Sequence, residues 1–283
     1  MEYYNHSFGL NYDLTKLNDY TFLAQLEGNL YDSPNRGHRQ SIHETGKPSY
    51  YAFTHPKEHY FFPTIDVFFR KYFPDKRGLV INIVGTKINS DYGYKYNTYS
   101  DKDLTQELSH YGYDTKGRHY SIIGDAKYSR PLGNMTWLSG VNYYQGYTKN
   151  VYDGKDNTVN SMHNGNVYAY TQISGALKKI QYLLGVGVSY SQYNQGEEHY
   201  NYFLIRPSIN LNYKIAAKGN LRYTFELTPN SPSLSSLSNN RQQFNEFEYH
   251  VGNPNLKPYS RMTQMLTFSY RHPLGDGTLR HLG

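Results

Sequence analysis

A chain of 283 residues with 33 tyrosines, 17% aromatics and a mean hydropathy of −0.78 fits neither an ordinary soluble globule, which is richer in apolar residues, nor a disordered chain, which is poor in aromatics. No apolar run reaches the ~18–20 residues that a membrane-spanning helix needs, and the absence of cysteine removes disulfides and thiolate metal sites. The formal charge of +6 is spread among acidic residues rather than gathered into a basic helix or tail, so no nucleic-acid partner is expected.

Along the chain, a two-residue period replaces helical periodicity. The opening Met1-Glu2-Tyr3-Tyr4-Asn5 has no basic start, apolar core or cleavage site, so no secretory signal is expected there. Phe8, Leu10 and Tyr12 precede a turn over Leu14–Asp19, and Phe22, Ala24 and Leu26 follow it. Ile65, Val67 and Phe69 lead through Pro74-Asp75-Lys76-Arg77 into Leu79, Ile81 and Ile83. Tyr120, Ile122, Ala126 and Tyr128 oppose Ser121, Asp125, Lys127 and Ser129, and after Gly133-Asn134 the chain returns with Trp137, Val141, Tyr143 and Tyr147. Val167, Ala169 and Ile173 pass through Lys178-Lys179 into Leu184, Val186 and Val188. The clearest hairpin sets Phe203, Ile205, Ile209, Leu211 and Tyr213 against Arg206, Ser208, Asn210, Asn212 and Lys214. Across a short reversal, Leu221, Tyr223, Phe225 and Leu227 alternate with Arg222, Thr224, Glu226 and Thr228.

The connections alternate in length. Short turns follow every odd strand; between them the polar, Tyr-rich stretches Asp32–His59, Asn89–Lys116, Thr148–His163 and Pro229–Ser260 read as long loops, with a shorter one near Asn194–Glu198. Amphipathic strands with short turns at one end, long loops at the other and Tyr near the strand ends are the pattern of an outer-membrane barrel. A soluble sandwich gives no reason for the alternation of connection length, and no blade motif repeats as a propeller requires. The expected fold is therefore all-β, an antiparallel transmembrane β-barrel segment of about eleven strands spanning residues 1–283. Bacterial single-chain barrels have an even number of strands, and the last strand, near Met262–Arg271, runs into another turn, so an incomplete barrel is expected.

Gly252-Asn253-Pro254-Asn255-Leu256-Lys257-Pro258 precedes that last strand. The heptapeptide, with its lead-in Pro232-Ser233-Leu234-Ser235-Ser236-Leu237, resembles the G-N-P-x-L-K-P signature of TonB-dependent outer-membrane receptors, in particular the Bacteroidota-type outer-membrane β-barrel family. The resemblance implies outer-membrane localisation and uptake of large or scarce solutes through a barrel of about 22 strands with an N-terminal plug, energised by the TonB complex. It also implies membrane lipid, a plug domain, the TonB complex and an unknown solute as partners. No plug, TonB-binding box, signal peptide or aromatic-terminated closing strand is recognised in these residues, so this chain is expected to be a fragment unable to transport alone. A non-transporting adhesin or structural barrel is the alternative reading. The two prolines restrict the backbone at and before them, so the heptapeptide reads as a rigid lead into its strand, with no ligand role.

No nucleophile elbow, His-Glu-x-x-His or phosphate loop occurs; no catalytic residue, cofactor or metal site is assigned, and the chain is not expected to be an enzyme. His38, His43, His55, His59, Glu44 and Glu58 are ligand types, more simply read as a solvated loop. Ile205, Ile209, Leu211, Leu184 and Val186 are expected to face lipid. Asp66, Arg70, Asp125, Lys127, Arg206, Lys214, Arg222 and Glu226 should face the lumen and form cross-strand salt bridges and bonds to plug or water there. Solute capture is expected in the loops Asp32–His59 and Asn89–Lys116, whose tyrosines offer ring faces and hydroxyls to sugars, peptides or metal chelates alike.

Overall fold

The computed structural model describes residues 2–35, 37–43, 45–46, 48–153, 157–196, 198–216, 219–237, 242–243, 245, 247–270 and 281–282. Residues that alternate every second position present one consistent face only when extended, and the chain runs almost wholly as strands. In order these are β1 (Glu2–Lys16), β2 (Tyr20–Asn35), β3 (His38–Ile42), β4 (Tyr50–Tyr72), β5 (Gly78–Tyr99), β6 (Glu107–Leu132), β7 (Met135–Asp153) and β8 (Thr158–Leu177). Then follow β9 (Ile180–Gln195), β10 (Glu198–Ala216), β11 (Gly219–Asn230), α1 (Leu234–Leu237), β12 (Gln242–Gln243), β13 (Tyr249–His250), β14 (Tyr259–Tyr270) and β15 (His281–Leu282).

Eleven of these, β1, β2, β4–β11 and β14, are the long strands anticipated from the alternation. Each pairs antiparallel with its sequence neighbours in the order β1-β2-β4-β5-β6-β7-β8-β9-β10-β11-β14-β15, with β3 added to β4 above β2. β1 pairs with β2 alone, and the sheet is not closed into a barrel. At the lower end the four reversals whose residues are described are short, with a left-handed residue in each: Asn18 (φ 59°), Lys76 (φ 64°), Gly133 (φ 60°) and Lys178 (φ 54°). The first lower turn is tied to the next strand, where Asp19 meets Lys71 and Lys16 and accepts the Tyr72 amide on its carbonyl at 2.7 Å. Those two ammonium groups, Lys71 first, hold the Asp19 carboxyl below its usual range.

The register assigns every residue a face. Arg206 lies opposite Gly187, Gly187 opposite Tyr170, Tyr170 opposite Gly140, Gly140 opposite Lys127, and Lys127 opposite Val80, which faces Arg70. All eight expected lumenal charges fall on this one inner face. On the other face Ile205 meets Val188 and Ile209 meets Leu184, and their apolar neighbours stay open: Ile205 is 58% exposed and Val186 50%. In water such a surface would be unstable, while in hydrocarbon it is the correct solvent boundary.

The upper end departs from the expected loops. Asn89–Lys116 is almost entirely strand: the β5–β6 ladder continues from Asn89↔Arg118 to Tyr99↔Glu107, leaving a turn of residues 100–106. Asp32–His59 likewise contains the end of β2, all of β3 and the start of β4, and Thr148–His163 is mostly the β7–β8 ladder. Polar composition does not end a ladder when cross-strand pairs sustain it, and Tyr supplies those pairs. Asp101 closes the 100–106 turn by accepting the Gln106 and Thr105 amides, which hold its carboxyl below the usual range.

Candidate functional site: the inner wall

In the lower half, the inner face is charged and amide-rich. Asp125 and Lys127 pair along β6, two residues apart on the same side, rather than across strands as expected. The Tyr170 ring spreads over Gly140, where a Cβ would come within 2.6 Å of it, and Tyr168 stacks on Tyr170 at 5.0 Å. The guanidinium of Arg206 lies 3.8 Å above the Tyr168 ring and donates from Nε to the Leu227 carbonyl at 3.2 Å. Gly187 makes room for this stack, since a Cβ there would approach Tyr168 to 2.5 Å and the Ala169 carbonyl to 2.8 Å. Arg206 is thus held on the inner wall by packing and one backbone acceptor.

Higher on the same face, tyrosine replaces charge. Tyr31 stacks on Tyr60 at 5.0 Å across β2–β4; Tyr92 and Tyr94 lie 6.0 and 5.9 Å from Tyr113 across β5–β6; Tyr96 lies 6.4 Å from Tyr111. The set continues through Tyr144 and Tyr152 on β7 and Tyr193 and Tyr200 on β9–β10, whose rings are 6.0 Å apart. Burial, and secondarily the neighbouring Tyr92, pushes the Tyr94 and Tyr113 phenols up, so both stay neutral donors throughout the physiological range. Between the rings stand Thr115, Thr148, Asn150, Asn164, Asn166 and Ser191; of the charged residues described here, Glu58 and Arg206 mark the margins and Glu248 of the returning segment stands near Tyr94.

The segment after β11 folds back over this wall. Leu237 of α1 is 2% exposed, packed with Met162, Tyr193 and Tyr200, the one cluster of buried apolar residues among those described. Below it a recess of ≈ 260 Å³ is lined by Tyr144, Asn166, Ser191, Tyr202, Arg206 and Thr228, among others. The heptapeptide closes the segment: the Asn253 amide donates to the Ser236 carbonyl at 2.7 Å, Asn253 accepts the Asn255 amide on its side chain at 3.0 Å and the Leu256 amide on its carbonyl at 3.2 Å. It leads directly into β14.

The histidines of the first upper connection do not converge. His43 bonds Ser41 and Ser49, His55 stacks with Phe53, and His59 faces Asp32 on the outer side; Glu44 lies outside the described residues. The tyrosine wall is hidden in the sequence by the polar composition of these stretches, which suggests loops. The signal was present in Tyr92, Tyr94 and Tyr96, which continue the even-numbered inner face of β5 without a break.

An antiparallel sheet with an apolar outer band, a polar inner wall and tall upper hairpins defines an outer-membrane β-barrel protein, resident in the outer membrane. The chain belongs to the outer membrane protein beta-barrel family, whose model matches residues 75–274, more than half of it. No curated protein matches the sequence. Among solved structures, the alcaligin outer-membrane receptor FauA of Bordetella pertussis is similar with a TM-score of 0.60 and 11% identity, over 96% of this chain and 41% of that one. The ferric enterobactin receptor PfeA of Pseudomonas aeruginosa matches with a TM-score of 0.42 and 11% identity, over 96% of this chain and 49% of that one. At these identities the likeness concerns the fold, and the chain spans about half the length of such receptors or less.

Proposed function

We propose that this chain is the larger part of one side of a barrel that captures a solute at the cell surface for TonB-dependent uptake, working with a plug domain and the TonB complex. As an isolated fragment it would not transport. The reading rests on the tyrosine wall: rings fixed on strands, above the membrane and on the inner face, form a lined approach to the lumen. Rings, neutral phenols, amides and hydroxyls favour an uncharged, hydroxyl-rich solute such as an oligosaccharide, bound by stacking and hydrogen bonds. An anionic iron chelate, the kind of cargo named for PfeA, would call for a cluster of cations that this wall lacks among the described residues. A role in binding and translocation, without catalysis, accords with this composition.

The test is binding of neutral oligosaccharides, ferric enterobactin and ferric citrate to the full-length protein in detergent, with and without Tyr94→Ala/Tyr113→Ala. Oligosaccharide binding weakened at least tenfold in the variant is expected. Tight binding of a ferric chelate that the substitutions leave unchanged would refute the solute class. Uptake of the bound sugar that persists in cells lacking TonB would refute the energised step.

A further inference from the structure

The outer wall carries a feature that solute uptake does not use. Where the apolar band of β5–β8 ends, one rung reads Lys87, Tyr120, Tyr147 and His163 in direct register. Lys87 Nζ lies 5.7 Å above the Tyr120 ring, Tyr120 stacks on Tyr147 at 6.4 Å, and Tyr147 meets His163 at 4.4 Å. Two residues higher, about 7 Å along the strands, Arg118 stands directly opposite Lys149. Like charges in direct cross-strand register repel, and among the described residues neither enters an ion pair. The acid beside them on this face, Asp91, is engaged by Lys57 at 3.1 Å, and Asp114 stands further up. Two cations are therefore placed side by side on a continuous ladder, with no ion-pair partner among the described residues.

Directly beneath this row the same face opens into a groove of ≈ 650 Å³, almost wholly apolar, with Leu26, Pro63, Ile65, Gly85 and Ile122 in its floor and Lys87, Tyr120 and Tyr147 at its rim. Gly85 creates the hollow: a Cβ there would meet nothing within 4 Å. The upper hairpins are the taller ones, so in an outer-membrane barrel this groove lies in the outer leaflet and the cations at its headgroup level.

We propose that this wall is a binding site for a phosphorylated, acylated glycolipid of the outer leaflet, its acyl chain in the Gly85 groove and its phosphate between Arg118 and Lys149. The charge complement selects the occupant. A neutral lipid would fill the groove but leave the opposed cations unpaired, and a free phosphate would pair them but leave the groove empty. Arg118 offers a planar fork to phosphate oxygens, Lys149 a point charge, and the Tyr120–Tyr147 stack a flat support for the sugar ring above the chains.

The experiment uses full-length protein in dodecyl maltoside, with folding checked by heat-modifiable mobility and lipid retention read by native mass spectrometry. The probes are purified lipid A, its dephosphorylated form and phosphatidylglycerol. Expected are retention of lipid A by the wild type, a loss of about tenfold or more in Arg118→Gln/Lys149→Gln, and a similar loss on removing the phosphates from the lipid. Gly85→Phe, which fills the groove with an apolar ring and keeps every charge, should also weaken retention severalfold. Equal retention of all three lipids, or lipid A held equally by the wild type and the charge variant, would overturn the site. Unchanged retention in Gly85→Phe would overturn the acyl groove. None of these readouts depends on which solute the inner wall takes.

Discussion

The same strands are two different objects below and above the aromatic row. On β6, the outer face runs Tyr128, Ala126, Gly124, Ile122 and Tyr120 and then becomes Arg118 and Lys116, while the inner face passes from Lys127 and Asp125 to Tyr113 and Tyr111. Charge lies inside below and outside above; apolar and aromatic surface does the reverse. Nothing in the ladder changes at that level, since β5 and β6 keep one register from Gly78↔Ser129 to Thr98↔Ser109. What changes is the surroundings of the outer face, from hydrocarbon to water, and with it the side chains that each face tolerates. The lesson is that backbone pairing is indifferent to the membrane boundary, and side-chain chemistry alone marks it.

The largest test of this division is to place a charge on the wrong face of the lower half. Ile209→Arg, on the outer side of β10, should impair assembly by ~2–4 kcal/mol, the cost of Arg near the bilayer midplane, whereas Asn210→Arg on the inner side should be tolerated. The folded fraction after refolding into vesicles, read by heat-modifiable mobility, measures both. Equal damage from the two would break the assignment of faces. Next in size is the packing that fixes Arg206. Gly187→Val would drive a side chain into Tyr168 and the Ala169 carbonyl, and should cost roughly 1–3 kcal/mol in urea-induced unfolding. If stability is unchanged, the stack is not as close as described.

A smaller effect is expected in the upper half, where substitutions should leave assembly intact. Deleting residues 91–115, the top of the β5–β6 hairpin, should lower solute capture at matched surface expression without loss of folded barrel. Unfolding of the lower half on that deletion would show that the two regions are not separable. The smallest effect concerns the turn above it. Asp101 is held ionised by amide donors, so its contribution is complete above the unfolded carboxyl value of about 3.9 and fades as the pH falls through its lower folded value. Asp101→Asn should therefore speed amide exchange at Thr105 and Gln106 at neutral pH, and acidification through that range should lower the protection of the same amides in the wild type relative to their intrinsic exchange at each pH. Exchange rates independent of both would remove the carboxylate from the account.

Much of the lower half was legible in the sequence because its alternation is between chemical extremes: Ile205 against Arg206 and Val186 against Gly187 admit one orientation only. The short turns were legible for a similar reason, through Gly133-Asn134 and Lys178-Lys179, though the strands run closer to them than the sequence suggests. The upper half was not. Tyr is tolerated on either face and in loops, so Tyr92-Gly93-Tyr94-Lys95-Tyr96 declares an inside only when its even positions are followed up from Val80 on β5, and high polar content alone suggests a loop. The place of α1 could not be read at all. Its contact with Met162 and Tyr193 joins positions far apart in the chain, and only the fold brings them together.

The uneven height of the wall has a consequence of its own. β6 climbs from Tyr120 to Glu107, while β9, which meets the same rung at Asn194, ends at Gln195, a difference of roughly 40 Å of strand. The tyrosine-bearing side thus stands as a backboard behind a low sill. For any molecule with a weak affinity for ring faces, a first touch anywhere on that tall side is followed by sliding rather than escape. A search through a volume of water becomes a search over a surface.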